Sequence, residues 1–160
     1  YAMGRMVIFA ATSSPLKPDG SLADLRAALA DGRVRRFSIA NPEHAPYGRA
    51  AEQALRAQGL WDAIQPALVL GENVSQAAQF AASGAAQGGI FAYSLAVAPA
   101  VAERGTYALL PAGWHDPLQH RMVLLKTATE TAQRFYAYVQ APPAQAILRR
   151  YGFTEPGERG

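Results

Sequence analysis

The chain of 160 residues contains no cysteine. That excludes disulfides, thiolate metal sites and a cysteine nucleophile, and it is silent on the redox compartment. Histidine is scarce. His44, His115 and His120 fall in separate loops or at a strand start, with no i, i+4 pair and no carboxylate at ligand spacing, so no metal site is expected. Positive charge is thin too. The formal net charge is +3 and the arginines are scattered, with the longest basic run, Arg33-Val-Arg-Arg36, at a predicted helix end where the dipole favours cations. Nucleic-acid binding is therefore not expected.

Catalytic signatures are missing as well. There is no Gly-Lys-Ser/Thr, no Gly-x-Gly-x-x-Gly after the first strand, no Gly-x-Ser-x-Gly and no Ser-x-x-Lys. Ser13 and Ser14 read as loop residues, and Asp24, Glu52 and Glu72 as dispersed acids without evident partners. No nucleophile, base or metal constellation can be assembled, so the chain reads as a non-enzyme without cofactor. No apolar run reaches the length of a membrane span, and Tyr1 to Ala11 lacks a signal-peptide cleavage pattern. No initiator Met leads the chain and a strand begins at once, which suggests that an N-terminal part is missing.

Half the residues are apolar, enough for a substantial core at this length. Strands are predicted at 4–10, 36–40, 67–70, 88–93, 107–110 and 120–126. Helices are predicted at 22–30 with Ser21 as cap, at 49–59, 60–64, 74–83 and 94–103, and at 128–139 and 144–151 around a Pro142-Pro143 break. This alternation argues an open α/β sheet with helices on both faces, whose ligands sit at strand carboxyl ends beside helix N-termini.

Two strand-to-helix turns stand out. Asn41-Pro-Glu-His-Ala-Pro-Tyr-Gly48 empties into the helix beginning Arg49-Ala-Ala-Glu-Gln-Ala-Leu-Arg56. At Gly71-Glu-Asn-Val-Ser-Gln76, Asn73 can cap the next helix while Gln76 reaches back to the cap's own N–H. The first N–H groups of a helix lack intrahelical partners and carry the positive end of its dipole, so each start is an anion seat. If the fold brings the two together, their amides converge on one oxyanion.

The same residues, with Gly59-Leu-Trp, Leu70-Gly-Glu-Asn-Val-Ser-Gln-Ala, Gly89-Ile-Phe-Ala and Tyr151-Gly-Phe, resemble the periplasmic molybdate-binding proteins, substrate receptors of molybdate ABC importers. The resemblance covers essentially the whole chain. It implies a lobe of the type II periplasmic-binding-protein fold, an open mixed sheet with helices on both faces. Residues 1–126 would form the second ligand-binding lobe with hinge strands at about 4–10 and 120–126, and residues 127–160 the helices that pack on a mostly absent first lobe.

By motif, Tyr47 and Val74 would give backbone N–H donors to molybdate or tungstate, with Pro46, Gly48, Asn73 and Ser75 supporting the helix starts. Ala92 stands where one branch of the family has a tyrosine, and Tyr93 is displaced by one. The implied partners are the oxyanion and an ABC permease of the inner membrane, with a periplasmic location. Self-association would cover the surface facing the first lobe. The other readings are a receptor for another tetrahedral oxyanion such as sulfate, and the effector-sensing domain of a LysR-type regulator.

Overall fold

The β-rich opening of the chain is two strands, not the single strand expected at 4–10. In a computed structural model, which describes residues 1–157, β1 (Ala2–Gly4) and β2 (Met6–Ala11) part at Arg5 and join different sheets. β2 alternates with period two. Met6, Ile8 and Ala10 enter one buried cluster and Val7 and Phe9 another, so both faces of the strand are covered.

The main sheet adds β3 (Phe37–Ala40), β4 (Leu68–Gly71), β5 (Gly88–Ala92) and β6 (Gly105–Leu109), in the order β4-β3-β5-β2-β6. β3 runs parallel to β4 and β5, whereas β2 runs antiparallel to β5 and β6. The sheet is thus mixed, as the fold expectation has it. One face is covered by α1 (Ala23–Ala30), α2 (Pro46–Ala57) and α3 (Trp61–Ile64). α4 (Val74–Ala82), α5 (Tyr93–Ala96) and α6 (Pro99–Ala102) cover the other, where Ala78, Ala81, Ala96 and Val101 pack around Phe9 and Phe91. The division of the expected 94–103 helix into α5 and α6 falls at Pro99, which opens α6 because it cannot continue α5.

The strand expected at 120–126 is replaced by β7 (Leu118–His120), antiparallel to β1 with Ala2 opposite His120 and Gly4 opposite Leu118. Residues 121–126 have no strand partner, and Val123 is 81% exposed. An apolar run alone does not make a strand, and β1 offers only three residues to pair with. α7 (Glu130–Val139) and α8 (Pro142–Arg150) close the described chain. Pro142 and Pro143 begin α8 rather than break the chain before it, since the first helical turn tolerates a missing N–H. Residues 158–160 of the expected C-terminal unit lie outside the described residues.

Two further expectations are corrected. Ser21 does not cap α1. The carboxylate of Asp19 accepts from the amides of Ser21, Ala23 and Asp24 at 2.9, 3.2 and 2.9 Å and from the Ser21 hydroxyl at 2.5 Å. Burial pushes the Asp19 carboxyl up, but these donors outweigh it and hold the group below its ordinary value. Asp24 does have a partner: Arg33 binds it at 3.1 Å while also bonding Asp31.

Candidate oxyanion site

Parallel pairing of β3 with β4 sets Ala40 opposite Gly71, so the two strands end side by side and both turn into helices there. The Asn41 amide donates to the Gly71 carbonyl at 2.8 Å. Val74 packs on Ala40, Ala45 and Ala77, joining the two turns through small apolar side chains. His44 closes the outer edge, its Nε2 hydrogen-bonded to the Glu72 carbonyl at 2.9 Å. The two helix starts singled out in the sequence are therefore neighbours.

The first start is earlier than expected. α2 begins at Pro46, not Arg49, with Ala45 in extended conformation as N-cap and no side-chain cap bond. Pro46 has no N–H to give, so the first amides of α2 are those of Tyr47 and Gly48. Gly48 is buried against the end of β3, where a Cβ would collide with the Ala40 carbonyl and the Asn41 backbone. Only glycine lets the helix start this close to the strand.

The second start keeps the expected cap with one change. Asn73 Oδ1 accepts from the Gln76 amide at 2.9 Å, while Gln76 Oε1 accepts from the amide of Glu72 at 2.7 Å, one residue before the expected Asn73 N–H. That pairing leaves the Val74 and Ser75 amides to an outside acceptor. Neither helix has an acidic residue in its first turn to compete for that place. Two donor pairs that neither cap engages, at adjacent dipole ends, suit an anion with several oxygens and no proton to give.

The Tyr47 side chain is half-buried, with its hydroxyl 3.1 Å from Nε2 of His120 on β7. Burial pushes the phenol up to about 12, so it is neutral under ordinary conditions. Tyr93 packs elsewhere, its ring 5.5 Å from that of Tyr107, beneath the Arg5 guanidinium and against Gly152. The sequence places His44 inside the first strand-to-helix turn but reads it, like His120, as a surface or loop histidine, and it gives Gly4 no role at this site, because the partners of all three lie on distant segments.

His120 gives a pH dependence. Burial holds its imidazole below the ordinary 6.5, so the unfolded chain binds the proton more readily than the folded one. Stability is then full above that value and falls as pH drops from it through the folded-state value. The denaturant midpoint is expected to be lower at about pH 5.5 than at about pH 7.5, and His120→Asn is expected to flatten that slope. Equal slopes for parent and variant would refute the assignment.

The sequence profile of the family described as bacterial extracellular solute-binding protein matches residues 1–154. The molybdate-binding protein ModA of Rhodobacter capsulatus is 33% identical over 156 residues, covering 96% of this chain and 58% of that protein. ModA of Azotobacter vinelandii is 34% identical over 155 residues, 96% of this chain and 59% of that one. The solved periplasmic molybdate-binding protein of Azotobacter vinelandii superposes with a TM-score of 0.80 at 32% identity, over 98% of this chain and 67% of that chain. The chain thus spans less than two thirds of the length of these curated relatives. On the match that runs through both helix starts and both sheets, it belongs to the bacterial extracellular solute-binding protein family.

Proposed function

We propose that this chain is the oxyanion-holding lobe of a receptor for molybdate or tungstate, with the Tyr47 and Val74 amides as direct donors. The observation that carries the reading is the pair of helix starts at the joined ends of β3 and β4, α2 without a side-chain cap and α4 with its Asn73 cap spent on the Gln76 amide, and with no acid in either first turn. The relatives named for molybdate binding support the choice of anion. Molybdate at neutral pH is a deprotonated dianion that needs donors only. Neutral amides supply them without a buried cation, and each charge-assisted bond contributes about 1.5–3 kcal/mol. In this reading the chain hands its anion to a membrane permease from the periplasm and performs no chemistry on it. The β1–β7 ribbon and the segment 121–126 form the crossing to the other lobe.

An amide-resolved NMR titration with molybdate, and separately with sulfate, tests this. Shifts at the Tyr47 and Val74 amides that saturate with molybdate and stay small with sulfate are expected. A stronger response to sulfate would reassign the anion. Silence at both amides up to tens of millimolar anion, on the order of the weakest specific affinities, would sink the oxyanion site.

Self-association belongs to the same reading. Phe135 and Ile147, exposed by 66% and 46%, rim an apolar groove between α7 and α8 that Tyr138, Val139, Ala144 and Leu148 continue. An apolar surface of this kind is a contact surface. The chain is expected to gain mass with concentration in light scattering, and Phe135→Ser to stay monomeric. A parent chain of constant monomer mass over the same range would count against it.

A further inference from the structure

Four segments meet at one imidazole beside the anion seat. His120 lies on β7, opposite Ala2 of β1. Its Nε2 bonds the Tyr47 hydroxyl at 3.1 Å, and its ring meets Phe153 edge-on at 5.2 Å. Phe153 is fixed in turn, since the next residue, Thr154, exchanges backbone hydrogen bonds with Met3. Beneath the pair lies Gly4, where any Cβ would collide with the Tyr47 hydroxyl. The phenol therefore fills a slot whose floor is a glycine of β1 and whose wall is a histidine of β7.

We propose that His120 and Gly4 are positioning residues of the oxyanion seat. Together they seat the Tyr47 side chain on the β1–β7 ribbon, so that α2 presents its amide rather than its phenol to the anion. The inference rests on the oxyanion reading above and extends it to residues that touch no ligand. The hydroxyl is already hydrogen-bonded and half-buried, so turning it toward an anion would break that bond and leave the imidazole without its partner. Fixing the ring also fixes the first turn of α2, because Tyr47 is the first residue of that helix with an N–H to offer. Any movement of the ribbon against the main sheet is thereby felt at the seat.

The test uses the whole chain with sodium molybdate as probe and follows the Tyr47 and Val74 amides together. His120→Phe keeps an aromatic ring against Phe153 and removes the bond to Tyr47. His120→Asn restores a polar partner of smaller size. Gly4→Ala approaches from the other side: its strand backbone accepts alanine, and the clash is with the tip of a side chain, so the fold is retained while the phenol is displaced. His120→Phe and Gly4→Ala are each expected to weaken molybdate binding by about five- to tenfold. They should shrink the Tyr47 response while the Val74 response keeps its size, and His120→Asn should recover most of the loss.

A role in stability alone would lower the melting temperature and leave both amide responses as in the parent. That result, or parent-like affinity in both His120→Phe and Gly4→Ala, overturns the proposal. Silence of both amides in the parent chain removes the oxyanion reading and this inference with it, whereas unchanged responses in the variants remove this inference alone.

Discussion

Gly48→Ala is expected to lower the stability of the fold by about 2 kcal/mol and to abolish the molybdate response of the Tyr47 amide. Two effects oppose each other. Alanine is the better helix former, favoured over glycine by about 1 kcal/mol in a helix interior. Against that, the new Cβ would lie inside contact distance of the Ala40 carbonyl and the Asn41 backbone, atoms fixed by the β3–β4 ladder and by the Asn41 amide bond to Gly71. A rigid backbone cannot give way as a side-chain tip can, so the strain wins and the first turn of α2 must lift off the end of β3. A lift of that turn carries the Tyr47 amide with it. For a domain of this size the melting temperature should fall by about 4–8 °C. Gly113→Ala is the control, because nothing lies within 4 Å of its Cβ, and a change within about 0.5 kcal/mol is expected there. Parent-like melting and anion response in Gly48→Ala would refute the close approach and its role in the site.

Both helix starts of the site were legible because the signals are local. Asn73 and Gln76 carry their capping in side chains a few residues apart, and the cap bond is present at 2.9 Å. The sequence places the start of α2 three residues late, since Pro46-Tyr47-Gly48 also describes a turn. What decides between turn and helix is the space beside Ala40, which no neighbouring residue reveals. The split at Arg5 was not legible for a related reason. Residues 2–11 form a continuous β-rich run, and only the availability of Leu118–His120 as a separate partner divides it. The opposite error at 120–126 has the same origin: Met122-Val-Leu-Leu125 has strand composition without a strand to pair with. Asp19 and Ser21 are both capping residues, and the sequence alone favours Ser21 as the one next to the helix. The left-handed Leu22, φ 60°, displaces the helix start so that the carboxylate rather than the nearer hydroxyl meets the free amides. Strand and helix identities thus follow from local pattern, whereas ends, pairings and the Tyr47–His120 contact, 73 residues apart, depend on the assembled fold.

Val74→Pro separates the donor from the helix that carries it. Proline lacks the N–H, and the first helical position is where that loss costs least, because the amide there has no intrahelical partner. The residue before a proline must be extended, and Asn73 already is, at φ −149° and ψ 172°. The Asn73–Gln76 and Gln76–Glu72 bonds do not involve the Val74 amide, so the cap survives. The ring can also keep part of the packing on Ala40, Ala45 and Ala77. Stability is therefore expected to change by less than about 1 kcal/mol. Loss of one charge-assisted hydrogen bond to a dianion, about 1.5–3 kcal/mol, should weaken molybdate binding by about ten- to a hundredfold. Val74→Ala keeps the amide and trims the side chain, so it should bind close to the parent while melting lower. The two variants thus move the two readouts in opposite ways, which distinguishes an amide donor from a residue that merely packs the seat. If Val74→Pro folds and binds molybdate as tightly as the parent, the Val74 amide is not a donor to the anion.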